Sequence, residues 1–364
     1  MRILFAGGGT GGHLYPGIAI ARAIVRRDPS VEPFFVGAQR GVEREVLPTT
    51  EFPHVLLDLH PLYRPQLWRN WRTLAGMFSA WRALSRVVRQ ERPRLIVGTG
   101  GYAAGLAMAY GVVHGIPVVQ AAGDSIPGLT ARLFSRWSRE MYLAFPEAAA
   151  RLTASGPGSL VDTGAPIETP PSPLPDRATA RLAWGFPAQG GAVLLVYGGS
   201  QGSRAINLVV QEWIRRGLPD GLHMIWMTGR ASFSEFAGDA SARVVVREYL
   251  SPIADAYAAA DLALARAGAM TTAELFAWGI PGLLVPLPTA AADHQSMNAR
   301  TLEAAGAALC LPQSTLTAES LDATVRSLLG DPARMQALAA AAAARARPQA
   351  ADVIAQRILA VARR

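Results

Sequence analysis

The sequence predicts an α/β protein made of two doubly wound, Rossmann-like domains facing across a cleft. Three observations carry this. Short apolar runs alternate with longer helical patterns through the first half of the chain. A Pro-rich stretch at 164–175 then breaks the pattern, with five prolines in the ten residues after Ala165. The alternation restarts at Ala192-Val-Leu-Leu-Val196. Strand–helix alternation argues for parallel βαβ units, and open parallel sheets bind ligands beyond the carboxyl ends of their strands. A length of 364 residues suits about two domains. The expected division is 1–165 and 166–349, with the last helix, 350–364, packing back on the first domain.

In chain order, strands are expected at 2–6, 33–36, 54–57, 95–97 and 117–120, each an apolar run of strand length. Helices are expected between them at 16–27, 67–90 and 103–114. The second half places strands at 192–196, 223–226, 243–247 and 262–264, with a helix after the first of them. Ala/Arg-rich 335–347 is helical by propensity, and 351–363 forms a final helix.

Composition narrows the chemistry. Half the residues are apolar and 17% are charged, a globular balance. The 35 basic residues are all arginine. The absence of lysine excludes a Schiff base and the P-loop lysine. An Ala- and Arg-rich chain without lysine reflects coding preference, so the net charge of +8 is no argument for nucleic acid. It remains compatible with an anionic membrane surface. The single cysteine, Cys310, excludes a disulfide framework and a Cys-based zinc site. Residues 1–6 reach glycine after four apolar residues, too few for a signal peptide. The charge-free stretches 95–123 and 275–292 are interrupted by Pro and Gly, which favours buried segments over membrane spans.

Four motifs carry the chemistry. Gly7-Gly-Gly-Thr-Gly-Gly-His13 follows a strand and opens a helix, where glycines allow close approach and free N–H groups meet an anion. Gly7, Gly9 and Gly12 also fit the dinucleotide pattern, but the second strand ends in Phe35-Val-Gly37 with no acid before Glu43 to hold a ribose, which argues against NAD. His13 sits where the helix's positive end keeps an imidazole neutral, the state of a general base. A polar residue satisfying loop carbonyls is the alternative. Gly98-Thr-Gly-Gly-Tyr102 and Gly198-Gly-Ser-Gln-Gly202 repeat the strand–glycine arrangement. The latter offers backbone N–H groups and a hydroxyl to a diphosphate. Arg266-Ala-Gly-Ala-Met-Thr-Thr-Ala-Glu274 gives a turn at Gly268, a cap from Thr271 or Thr272, and an acid near the helix start. Glu274 reads as a ribose ligand or as a macrodipole partner. Asp293-His294-Gln295 could bind a polyhydroxylated ligand or cap a helix. No Asp-x-Asp occurs, so nothing supports a metal on a diphosphate.

In this order, Gly-Gly-Thr-Gly-Gly-His13, Gly100-Gly-Tyr, Gly198-Gly-Ser-Gln-Gly202 with Asn207, Gly268-Ala-x-Thr with Glu274, Gly279-Ile-Pro and His294-Gln with Asn298 resemble the MurG family over nearly the whole chain. That family moves N-acetylglucosamine from UDP-N-acetylglucosamine to lipid-linked N-acetylmuramyl-pentapeptide in peptidoglycan synthesis. The resemblance implies a GT-B fold, inversion at the anomeric carbon, no essential metal or cofactor, and peripheral work at the cytoplasmic face of the plasma membrane. It makes His13 the base for the acceptor's 4-hydroxyl. On the donor side it places Thr10, Gly11, Gly12, Ser200, Gln201, Gly202, Leu250, Gly268, Ala269, Met270, Thr271, Glu274, His294 and Gln295. Gly100, Gly101, Tyr102 and Asp124 fall on the acceptor side. The chain departs from the family's His-Glu-Gln-Asn at Ala121-Ala-Gly-Asp124, and from Gly-Asn-Pro-Val-Arg at Gly164-Ala-Pro-Ile-Glu168. These departures keep two alternatives open: another lipid or small-molecule acceptor, and a UDP-sugar binder without turnover.

Leu67, Trp71, Leu74, Phe78 and Trp81 recur at three- and four-residue spacing beside Arg64, Arg69, Arg72, Arg82, Arg86 and Arg89. Such a helix can lie in lipid or pack on the sheet. The resemblance favours a membrane patch of Trp71, Leu74, Phe78 and Trp81.

Overall fold

A computed structural model describes residues 1–59, 71–290 and 293–364, without the side chains of 71–77. The chain divides into two compact units, Met1–Glu168 with Gln349–Arg364, and Thr169–Pro348. The division falls after residue 168, where the sequence placed it after 165.

The first unit runs β1 (Arg2–Gly7), α1 (Gly11–Arg27), β2 (Glu32–Ala38), α2 (Glu43–Val46), β3 (His54–Leu57), α3 (Trp71–Glu91), β4 (Leu95–Gly100), α4 (Gly101–His114), β5 (Val118–Ala122), α5 (Leu129–Phe134), β6 (Met141–Leu143) and β7 (Leu160–Asp162). Its sheet has the order β3-β2-β1-β4-β5-β6-β7, with every pairing parallel. Alternation along β1 sends Ile3 and Phe5 to one face and Leu4 to the other. Ile20 and Ile24 of α1 cover the first face, and Leu84 of α3 and Met108 of α4 cover the second.

The second unit contains α6 (Arg177–Ala183), β8 (Ala192–Tyr197), α7 (Arg204–Arg216), β9 (Leu222–Met227), α8 (Phe233–Phe236), β10 (Val244–Arg247), α9 (Ala254–Ala259), β11 (Leu262–Ala265), α10 (Ala269–Ala277), β12 (Gly282–Leu284), α11 (His294–Ala304), β13 (Ala308–Cys310), α12 (Ala318–Leu329) and α13 (Pro332–Arg345). Its parallel sheet is ordered β10-β9-β8-β11-β12-β13. The core is built on Leu194, Val196, Trp226 and Leu264, with Trp213 and Val210 from α7.

The final helix, α14 (Ala350–Ala362), belongs to the first unit. Ile354, Ala355 and Ile358 join the cluster of Ile20 and Ile24, all fully buried. Arg357 donates two hydrogen bonds to Glu140, at 2.8 and 3.0 Å. Burying each large aliphatic side chain contributes about 1.5–3 kcal/mol, so α14 is integral to this unit.

Both sheets reverse winding direction between their first and fourth strands, β1/β4 and β8/β11. Ligands gather at such switch points, and all the glycine loops of the sequence reading emerge there.

Some expectations change. Helix α1 starts at Gly11 rather than 16, and Pro16 lies inside it. Without an N–H, Pro16 leaves the Gly12 carbonyl without its helical donor one turn from the start of α1. The start of the 67–90 helix lies outside the described residues. Strands β6 and β7 are three residues each, too short to leave a sequence pattern.

Candidate active site

In the first unit the loops after β1 and β4 close on one imidazole. Thr10 is the N-cap of α1 and His13 its third residue. The Nδ1 atom of His13 lies 3.2 Å from Thr10 Oγ1 and 3.3 Å from the Gly8 carbonyl oxygen. A carbonyl only accepts, whereas a hydroxyl does either. Both contacts are met together when Nδ1 carries the proton, which leaves the lone pair on Nε2. The ring lies against the β4–α4 turn, where a Cβ on Gly100 would fall 2.5 Å from Cδ2 and 3.0 Å from Nε2. Gly100 also has φ of 106°, which disfavours any other residue. The two loops are tied by the Gly8 N–H donating to the Gly100 carbonyl at 3.3 Å. Satisfying a loop carbonyl and acting as a base are thus compatible, one nitrogen for each.

Tyr102, the second residue of α4, lays its ring on Gly9, where a Cβ would meet it at 3.0 Å. Burial and the nearby Glu43 push its hydroxyl pKa up, against the pull of Arg40. Gly101 accepts a hydrogen bond from Thr130 Oγ1 at 3.2 Å. Asp124 follows β5 and is half-buried.

In the second unit, Gly198-Gly-Ser200-Gln201-Gly202 links β8 to α7. Gly202 turns back at φ 75°, and its N–H donates to the Gly199 carbonyl at 2.9 Å. Ser203 caps α7. Asn207 is structural: its amide donates to the Thr228 carbonyl at 2.8 Å and accepts from Trp226 Nε1 at 3.0 Å.

The sequence expected Thr271 or Thr272 to cap α10, but the N-cap is Gly268 without a side-chain cap. Thr272 instead donates to the Ala269 and Gly268 carbonyls, at 3.1 and 3.3 Å. Ala269, Met270 and Thr271 form the first turn, whose N–H groups have no earlier helical carbonyl to bond. Glu274 lies in the second turn, and no acid occupies the first. The macrodipole reading therefore fails, because that effect fades beyond the terminal turn. Glu274 Oε2 accepts from Tyr257 at 2.9 Å, and Tyr257 meets Tyr197 at 3.2 Å. This chain orients the carboxylate on α10.

Sequence reasoning assigned no role to Arg266, which lies between the two loops. It is 8% exposed. Its guanidinium donates to the Val285 and Pro286 carbonyls at 3.1 and 3.0 Å, to Ser203 Oγ at 2.7 Å and to Gln313 Oε1 at 2.8 Å. Burial pushes its pKa down from the usual arginine value, and no carboxylate among the described residues pairs with it. The result is a fixed positive charge joined to the cap of α7 and two residues from the start of α10.

Leu250 is buried after β10. His294 opens α11. Gln295 Oε1 accepts the Leu287 N–H at 3.0 Å, so its oxygen is committed to the fold. Asn298 donates to the Ala267 carbonyl at 3.2 Å. Among the described residues, no three His, Cys, Asp or Glu gather as a metal would require.

Of the expected membrane residues, the side chains of Trp71 and Leu74 lie outside the described residues. Phe78 is 66% exposed, with Arg82 over its ring at 5.3 Å. Trp81 turns inward, its ring tilted against Tyr110 at 5.0 Å and packed on the core. The sequence missed a second exposed set on and after α5: Leu129, Leu133 and Trp137, with Arg136 4.4 Å above the indole. No described helix is long and apolar enough to cross a membrane.

The glycosyltransferase family 28 N-terminal domain matches residues 3–143, and the C-terminal domain of that family matches 193–356. A Salinibacter ruber protein named UDP-N-acetylglucosamine–N-acetylmuramyl-(pentapeptide) pyrophosphoryl-undecaprenol N-acetylglucosamine transferase is 38% identical, over 100% of this chain and 97% of its own. A Desulforudis audaxviator protein of the same name is 38% identical over 97% of this chain and 96% of its own. Among solved structures, Acinetobacter baumannii MurG aligns with a TM-score of 0.76 at 26% identity, covering 99% of both chains. With two doubly wound units and this likeness along its whole length, the chain belongs to the MurG family of glycosyltransferase family 28.

Proposed function

We propose that this protein transfers N-acetylglucosamine from UDP-N-acetylglucosamine to the 4-hydroxyl of polyprenyl-diphosphate-linked N-acetylmuramyl-pentapeptide, the lipid I to lipid II step of peptidoglycan synthesis. The observation that carries the reading is the full-length 38% identity to the Salinibacter ruber transferase of that name. In the reaction His13 Nε2 takes the proton of the acceptor hydroxyl. The hydroxyl oxygen bonds to the anomeric carbon as the bond from that carbon to the UDP oxygen breaks, which inverts the centre. The departing diphosphate is met by the N-termini of α7 and α10 and by the charge of Arg266. Glu274, oriented by Tyr257, is suited to the two ribose hydroxyls. No step is assigned to a metal, and EDTA is expected to leave turnover unchanged.

The test is UDP release from UDP-N-acetylglucosamine with a lipid I analogue, beside UDP-glucose and UDP-galactose. Fast release with the first donor alone supports the reading. Saturable UDP binding in calorimetry with no release would instead favour a binder without turnover. Release only with a different acceptor would point to the departure at 121–124.

The same reading places the protein at the cytoplasmic membrane surface, held by Phe78, Arg82 and the exposed set around Trp137. Burying one aromatic ring is worth about 1.5–3 kcal/mol, so Phe78→Glu should weaken binding to anionic vesicles by roughly tenfold. Cosedimentation checks this, and unchanged binding removes Phe78 from the contact.

A further inference from the structure

The peptide group joining Gly8 to Gly9 is engaged on both sides. Its N–H donates to Glu43 Oε1 at 2.9 Å. Its carbonyl oxygen is the one 3.3 Å from His13 Nδ1. Glu43, from α2, has no solvent exposure. Oε1 also accepts the Ala38 N–H at 3.2 Å, and Oε2 is buried with no hydrogen-bond partner among the described residues. No arginine among them pairs with this carboxylate. Glycine makes the space, since a Cβ on Gly8 or Gly41 would overlap the carboxylate. Burying a carboxylate is costly unless donors meet it, and here the Gly9 and Ala38 amides do so.

We propose that Glu43 is a positioning residue for His13, acting through the single peptide between Gly8 and Gly9. The carboxylate polarises the peptide, so its carbonyl becomes a stronger acceptor. That carbonyl holds the proton on Nδ1 and keeps the Nε2 lone pair for the acceptor hydroxyl. When Nε2 takes the proton, the same dipole and charge stabilise the imidazolium. No bond forms or breaks at Glu43, and the Nδ1 proton stays in place. The other charged or titratable groups on this cluster are Tyr102, with its ring on Gly9, and Arg40, whose charge acts on the Tyr102 hydroxyl. Both remain when Glu43 is neutralised.

This inference rests on the reading of His13 as the base, so the two are tested together. Glu43→Gln keeps an oxygen acceptor for the Gly9 and Ala38 amides and replaces the other, charged oxygen by a neutral amide nitrogen. It is expected to lower kcat about tenfold, with KM for UDP-N-acetylglucosamine within about twofold and the acid limb of the kcat profile moved to lower pH. Nitrogen-15 shifts of the wild-type protein should show His13 protonated on Nδ1, a result that needs no variant to fold. An Nε2-protonated His13 overturns the proposal. So does a folded Glu43→Gln enzyme with wild-type kcat and an unmoved acid limb, or one whose loss lies in KM alone. Normal turnover by His13→Ala in the same assay removes the base reading and this proposal with it. A dead His13→Ala enzyme beside a fully active Glu43→Gln enzyme removes this proposal and leaves the base reading intact.

Discussion

His13→Ala is expected to lower kcat by about 10²–10⁴-fold, the usual contribution of a positioned general base. The loss should appear in kcat, with KM for the donor changed by no more than about threefold, because the carboxylate, helix termini and arginine suited to UDP lie in the other unit. The variant should stay folded, since the imidazole is half-buried at a helix start and supports no core cluster. Single-turnover measurement with bound donor, alongside UDP calorimetry, separates the outcomes. Near-full turnover would mean that another group removes the acceptor proton. Lost UDP binding would mean that the imidazole serves the donor instead.

The second large effect is expected at Arg266. A buried guanidinium surrounded by four neutral acceptors retains a charge with no counterion among the described residues. Such a charge favours an anion at the two helix starts it adjoins. Arg266→Met should therefore weaken UDP binding roughly tenfold or more while leaving uridine, which has no phosphate, almost unchanged. Losing the four hydrogen bonds should also lower stability, by about 1–3 kcal/mol. Calorimetric titration of both ligands against the same variant decides the matter. Equal weakening for UDP and uridine would make Arg266 a scaffold residue and nothing more.

The glycine loops were legible because each follows an apolar run and each contains the residue type that close approach demands. Their location at the carboxyl ends of strands followed from strand alternation, whereas the two switch points are set by a strand order that alternation does not reveal. Glu43 was readable only as an acid too distant in sequence to hold a ribose. Its role depends on a contact with Gly9 across 34 positions, which no local pattern records. Arg266 stood in a recognised motif, but its burial among four neutral acceptors is a property of packing. Gln295 shows the reverse case: a residue type suited to sugar binding has its oxygen engaged by a loop amide. Trp81 and Trp137 make the same point for surfaces. Spacing left the first open to lipid or core and the resemblance put it in a membrane patch, whereas packing turned it inward and left the second outside.

The return of α14 has a consequence for biosynthesis. The half of the molecule translated first lacks Ile354 and Ile358 until synthesis ends, so its inner surface near Ile20 and Ile24 stays bare throughout elongation. A released chain truncated before residue 350 should then carry every residue of the second unit and an unsealed first unit, a substrate for holdase chaperones and proteases.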